Sequence, residues 1–241
     1  MKLHVFLLFT GISILVSTNM LAQEQGYYEN KKRTDTEIGF YENGKKDGTW
    51  IITDNHDVVK SLESYKDGIK NGLFLTYDQQ GNISKQEFYS EGKLKGWVID
   101  FYSPHVPMSK TYYNNGIISG KSYRYYENGR IMEEASYQNG EKGGITKFFD
   151  QNQKLVAQYE YANGIFNGTN YSFFESGNIK TKEEYKDNVQ EGLYEEYYPT
   201  GKLKEKGNYV NGKKDGTWTQ YDPRGNVSLE EVYENGVLIE K

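Results

Sequence analysis

Residues Tyr209–Tyr233 read YVNGKKDGTWTQYDPRGNVSLEEVY, and most of the chain is a variation on that line. With its first tyrosine as position 1, tyrosine returns at Tyr41, Tyr65, Tyr89, Tyr113, Tyr137, Tyr161, Tyr185, Tyr209 and Tyr233, a step of 24 residues with no insertion. Glycine holds position 8 of every complete unit: Gly48, Gly72, Gly96, Gly120, Gly144, Gly168, Gly192 and Gly216. A fixed period of this length marks a stacked array, in which each unit buries its surface against its neighbours rather than around one central core. A length of 241 residues alone suggests one or two globular bodies; the repeat replaces that expectation with one elongated domain.

Each unit carries two turn signals. The first is the pair at positions 3 and 4, Asn-Gly in Asn43-Gly44, Asn115-Gly116, Asn139-Gly140, Asn163-Gly164, Asn211-Gly212 and Asn235-Gly236, with Asp67-Gly68, Glu91-Gly92 and Asp187-Asn188 as variants. Such pairs accept the positive φ that two-residue hairpin turns demand. The second lies near position 17, at Gly81, Gly129, Gly177, Gly201 and Gly225, and Pro104, Pro107, Pro199 and Pro223 fall at or beside it, where a missing N–H costs a sheet nothing. Between turns run short segments rich in Tyr, Phe, Thr, Val and Ile, such as Thr217–Tyr221, and no window keeps apolar residues at helical spacing. The expected fold is therefore all-β: an elongated single-sheet antiparallel meander of 24-residue β-hairpins, roughly 80 Å long at about 4.8 Å per strand.

Aromatic and apolar stripes should hold the ribbon together. Position 13 reads Thr53, Tyr77, Phe101, Tyr125, Phe149, Phe173, Tyr197 and Tyr221, and position 19 Val59, Ile83, Pro107, Ile131, Leu155, Ile179, Leu203 and Val227. Tyrosine suits a thin sheet because its ring packs while its hydroxyl stays wet. The glycine at position 8 is expected to let a neighbouring ring lie on bare backbone.

The termini and the composition bound the function. Lys2, the apolar run Leu3–Val16 and a polar-to-small stretch ending in Ala22 read as a secretory signal peptide, too short at about 14 apolar residues for a spanning helix. The organisation is thus a signal peptide (1–22), a degenerate half-repeat capping the N-terminal end (23–40), eight repeats (41–232) and a C-terminal half-repeat (233–241). In the cap, Tyr27-Tyr28-Glu29-Asn30 resembles Tyr125-Tyr126-Glu127-Asn128 and looks like an out-of-phase half-unit. Without cysteine there are no disulfides, thiol nucleophiles, cysteine metal sites or lipid-modified cysteine. The mature chain keeps 28 basic against 34 acidic side chains, a poor electrostatic match for nucleic acid.

The pattern Y-x-N-G-x-x-x-G-x-W-x-x-Y-x-x-x-G-x-[IVL] of Tyr209–Val227 resembles the bacterial variant of the MORN repeat, over about 200 of the 241 residues. That resemblance implies β-hairpin arrays acting in protein contacts and in lipid contacts. Proteins of this kind are often labelled antitoxins of toxin–antitoxin systems, which makes a toxin one candidate partner.

No catalytic, cofactor-binding or metal-ligating residue emerges. His56 and His105 lie about two units, roughly 20 Å, apart and cannot share a metal. The acid pairs Glu133-Glu134, Glu183-Glu184, Glu195-Glu196 and Glu230-Glu231 point to opposite faces of a strand, so they do not converge as a hydrolytic pair would. The glycines lack the strand-to-helix junction of a phosphate cradle. Four residues are candidates for an interaction surface: Trp50, Trp97 and Trp218, as binding platforms weighed against packing, and His105, in the divergent turn Ser103–Met108. The expectation is an exported, non-enzymatic scaffold that binds another protein, without a cofactor. An antitoxin or immunity protein acting through the same surface, and an envelope glycan or lipid binder, are the alternatives. The location expected is the periplasm, the cell surface or the medium.

Overall fold

A computed structural model describes residues 25–32 and 34–241; the proposed signal peptide lies outside them. The described residues form one open antiparallel sheet without a helix. Each strand pairs with the strands beside it in sequence: Lys45–Asp54 pairs with Val59–Lys66, Val189–Tyr197 with Leu203–Val210, and so on to Val227–Glu234 with the short Val237–Glu240. Extensive contacts likewise run only between neighbouring strands, as a one-dimensional stack requires. Positions 13 and 19 face each other within every hairpin, from Thr53↔Val59 to Tyr221↔Val227, so the two sequence stripes are cross-strand partners on one face.

The first turns adopt the conformation their residues favour. Both central residues have positive φ, as in Asn43 and Gly44 (50° and 72°) and Asn211 and Gly212 (50° and 74°), and even Asp187-Asn188 follows at 50° and 67°. These are the values of a two-residue type I′ turn, whose twist matches the flanking strands. The turns also stack. The Gly68 N–H donates to the Lys46 carbonyl at 2.8 Å, and the same bond recurs a unit further on at Gly92, Gly116, Gly140, Gly164, Asn188, Gly212 and Gly236.

The glycine at position 8 serves a different purpose from the one expected. It pairs opposite the next unit's tyrosine, as Gly48↔Tyr65 and Gly216↔Tyr233, yet no ring lies on it: a Cβ at Gly48, Gly96, Gly120, Gly144 or Gly216 would meet nothing within 4 Å. What all eight share is positive φ, from 70° at Gly48 to 125° at Gly168. In each unit the strand slips there against the previous one, since Tyr185 pairs with Gln190 while Glu183 pairs with Tyr194. The extra residues bulge out, and glycine supplies the left-handed backbone.

The N-terminal half-unit also differs from expectation. Gly26 pairs with Tyr41 and Tyr28 with Gly39, the partners of positions 8 and 10, so Tyr28 corresponds to Trp50 and not to Tyr126. The structural phase is kept; the shift in sequence is absorbed by a shorter turn between Lys31 and Thr36, which pair directly.

Candidate functional site

One face of the sheet is packed by its own side chains. The largest buried residues, Trp50 and Trp218, both stand at position 10, with exposures of 0% and 2%. Trp218 lies among Tyr194, Tyr209 and Tyr233 at centroid distances of 5.4, 5.1 and 6.4 Å, and Trp50 packs on Tyr28 and Tyr41 at 5.6 and 5.1 Å. Both indoles rest on bare backbone, because a Cβ on Gly207 or Gly39 would fall inside the ring. The lysine at position 6 covers the stack: Lys214 Nζ sits 3.7 Å from the Trp218 ring centre and Lys46 Nζ 4.2 Å from that of Trp50. Each ammonium also faces a carboxylate, Glu205 or Glu37, at 3.6 Å. In the middle of the array position 10 shrinks to Val98, Ser122, Thr146 and Asn170, and rings from other positions fill the space. Phe166, at the lysine position, touches Tyr159, Tyr161 and Tyr185 at 5.4, 4.9 and 5.5 Å. Where position 23 is glutamate, the following tyrosine donates to it: Tyr65 to Glu63 at 2.7 Å and Tyr185 to Glu183 at 3.0 Å. Burial, and then the glutamate, push the Tyr185 phenol up to about 12 and raise that of Tyr65 as well.

The opposite face carries no second layer among the described residues, its central side chains are half-buried by their neighbours, and it is divided. One cross-strand row runs Ile38–Ile51–Leu62–Leu75–Gln86–Ile99–Lys110, each residue paired with the next. From Lys110 the same row continues Tyr123–Glu134–Lys147–Gln158–Tyr171–Lys182–Glu195–Lys206–Thr219–Glu230. Aliphatic side chains thus give way to charges of both signs halfway along one geometrically uniform surface. Beside the aliphatic part lie the paired Leu73 and Phe88, 42% and 45% exposed, and the paired Trp97 and Tyr112. Cross-strand neighbours share a face, so these rows form one apolar strip. Seven strands at about 4.8 Å make it roughly 30 Å long. Isolated apolar residues on a surface are ordinary, whereas a contiguous strip marks a contact site.

The four residues singled out from the sequence fall in three environments. Trp50 and Trp218 are closed inside the packed face. Trp97 is half-buried on the open face, 5.3 Å from Tyr112 and 6.1 Å from Tyr123, with Lys110 Nζ 4.4 Å from its ring centre. His105 is exposed at a hairpin tip with φ of 68°. It occupies position 17, where Gly81, Gly129, Gly177, Gly201 and Gly225 also have positive φ. His56 is exposed in a different hairpin, its N–H donating to Asp54 Oδ1 at 2.8 Å. The acid pairs split across the sheet: Glu133 meets Lys142 at 2.6 Å and Arg124 at 3.4 Å, while Glu134 meets Lys121 at 2.7 Å. Among the described residues no three His, Asp or Glu side chains form a metal-ligand cluster. A depression lined by Glu196, Tyr198, Lys204, Glu205, Gln220, Tyr221 and Ser228 has a volume of about 190 Å³, below the usual size of a small-molecule site. The apolar strip was missed in the sequence because it appears only when positions 9, 11, 22 and 24 of different units are set side by side.

The geometry defines a class of protein: a linear β-hairpin array whose stability comes from neighbour contacts and whose usable surface is a sheet face. Residues 118–139, 166–187, 190–211 and 214–235 each match the MORN repeat variant family, and the chain is a MORN-repeat variant protein. The same strand register continues outside those segments, through Gly144↔Tyr161 and through the units before residue 118. MORN repeats are a non-enzymatic repeat type. No curated protein matches the chain.

Proposed function

We propose that this chain is an exported, non-enzymatic repeat scaffold that holds another protein against the apolar half of its open face. The observation that carries the reading is the change along the Ile38–Glu230 row from aliphatic to charged residues on one uniform sheet. Stability does not require that asymmetry, since the charged half forms the same ladder, with Lys182 and Glu195 at 3.6 Å as one of its cross-strand pairs. A partner with an apolar strip of its own, roughly 30 Å long, suits the surface. The burial of Trp50 and Trp218 takes away two of the stacking platforms that glycan binding would use. An antitoxin would be one instance of the same reading, with a toxin as the partner.

The test is capture from the native envelope fraction with wild-type protein, with Leu75→Glu/Ile99→Glu on the apolar half, and with Lys182→Ala/Lys206→Ala on the charged half. Circular dichroism checks that each variant is folded. The expected result is a partner identified by mass spectrometry that the first pair loses and the second keeps. A partner retained equally by both would overturn the assignment of the face. Export is tested separately, by an N-terminus at Gln23 in the envelope or medium.

A further inference from the structure

Each of the three tryptophans has a lysine over its ring, and two of the three lysines are paired with a carboxylate. On the packed face, Lys46 Nζ over Trp50 and Lys214 Nζ over Trp218 stand 3.6 Å from Glu37 and Glu205. On the open face Lys110 Nζ stands 4.4 Å from the Trp97 ring centre, and among the described residues no carboxylate lies within 4 Å of it. The acids nearest in the sheet are committed elsewhere. Glu134, two strands on in the same row, meets Lys121 at 2.7 Å, and Asp100 accepts from Ser109 Oγ at 2.8 Å on the packed face. The one acidic residue outside the described ones is Glu24, joined to Gln25 in the first strand, seven strand spacings or roughly 30 Å from Lys110. Lys70, over Phe74 and Tyr89 at 4.7 Å, also lacks a carboxylate, but it lies on the packed face, away from the contact surface.

We infer that Lys110 and Trp97 form a subsite for a carboxylate of the partner, so that the protein held on this face presents an aspartate or glutamate set among apolar residues. The inference rests on the contact face proposed above. Lys110 is half-buried where the aliphatic row ends, paired with Ile99 on one side and Tyr123 on the other. An apolar segment laid over Trp97 and Ile99 takes the remaining water from the ammonium. The indole face attracts the charge but gives its N–H donors no strong acceptor, and a covered ammonium left in that state is unfavourable. A carboxylate supplies acceptor and counter-charge together, as Glu37 and Glu205 do on the packed face.

The selection is local and works by exclusion. A wholly apolar or basic segment would cover Lys110 and leave it unpaired, so the site discriminates against both. The chain as a whole has a net charge of −5 and does not draw in an acidic partner from a distance. The positive charge that chooses the carboxylate is confined to this part of the face, where Lys95, exposed and hydrogen-bonded through its N–H to the Phe88 carbonyl at 2.9 Å, adds to that of Lys110.

Random peptides displayed on phage and selected against the full purified chain test this. The peptide recovered most often is synthesised with its acid and with the matching amide, and both are titrated against wild-type protein and Lys110→Gln, with the fluorescence of Trp97, the one tryptophan that is not buried, as the signal. The recovered peptides should carry aspartate or glutamate between apolar residues. The amide version should bind wild type about tenfold more weakly, the factor for one charge-assisted hydrogen bond, and the two versions should bind Lys110→Gln equally. Recovered peptides without an acid, or the same loss on amidation in Lys110→Gln, would overturn the inference. If those peptides are lost with Leu75→Glu/Ile99→Glu, the contact face stands and the carboxylate subsite alone falls; if that pair keeps them, the face falls with it. Vesicles of equal parts phosphatidylcholine and phosphatidylglycerol bound through Lys110, with no peptide recovered, would overturn the assignment to a protein carboxylate.

Discussion

Gly207 and Gly216 belong to the same pair of hairpins and are glycine for different reasons. Gly207 is empty space for the Trp218 ring, and Gly216 is a left-handed backbone at φ 71° with open space around it. Gly207→Ala should therefore cost about 1–3 kcal/mol by overpacking, and part of that should return in combination with Trp218→Thr, the pairing of small residues seen at Ala135 and Thr146. Gly216→Ala should cost about 1–2 kcal/mol whatever stands at position 218, because its penalty is conformational. Denaturant unfolding of Gly207→Ala, Gly216→Ala, Trp218→Thr and each glycine change combined with Trp218→Thr measures both. Trp218→Ala alone should lose about 3–5 kcal/mol. The half-buried tyrosines make a pH prediction at the same scale. Tyr185 has a folded pKa pushed up to about 12 by burial and by Glu183. Its stabilising contribution is full below the unfolded value near 10 and is lost as pH rises towards 12, because the unfolded phenol ionises first. Phenolate absorbance should lag behind that of free tyrosine and rise together with the loss of the β-sheet circular dichroism signal. A titration completed near pH 10 with the sheet intact would contradict it.

At the scale of an element, the second turn is closed in two ways. In some units an aspartate at position 14 folds back on its own loop: Asp78 Oδ1 accepts the N–H groups of Gln80 and Asn82 at 2.9 and 2.8 Å, and these bonds lower its pKa. In others a tyrosine there reaches across units, Tyr126 O–H to the Phe149 carbonyl and Tyr198 O–H to the Tyr221 carbonyl, both at 2.8 Å. Tyr198→Phe should cost about 1 kcal/mol by removing a link between hairpins. His105 stands where most units have glycine at position 17, as Asp57 and Gln153 do at 61° and 65°, and among the described residues no side-chain hydrogen bond offsets its φ of 68°. His105→Gly should leave stability unchanged or raise it by up to about 1 kcal/mol. Strained exposed residues gather at functional sites, so a fall in partner capture with that gain in thermal stability would place the histidine in the contact.

For the whole molecule, stability is a sum over neighbours. Deleting residues 137–160 removes one period and rejoins equivalent strands, so the product should remain folded and β-rich, shorter by about 10 Å. Deleting 23 residues from the same place throws one strand's ring positions to the other face and should be far more damaging. Melting curves and small-angle scattering of the two deletants decide it: equal damage from both would mean that units are not interchangeable.

The sequence by itself determined the 24-residue hairpin, both turns and the antiparallel order. Those depend on backbone preferences local to a few residues, and eight near-copies repeat the signal until it is unambiguous. The failure to converge of Glu133 and Glu134 was equally local, a consequence of strand alternation. Only the tertiary structure decided why position 8 is glycine, since a bulge is a property of two strands together. It also decided that Tyr28 takes the place of a position-10 ring, because register can absorb a shortened turn that a sequence period cannot. The burial of Trp50 and Trp218 depended on what lies opposite them, Gly39 and Gly207, eleven residues earlier in the chain. The apolar half of the open face required the register of every strand from Asp35–Glu42 to Val106–Asn114, for a surface of a sheet is written across units and not along them.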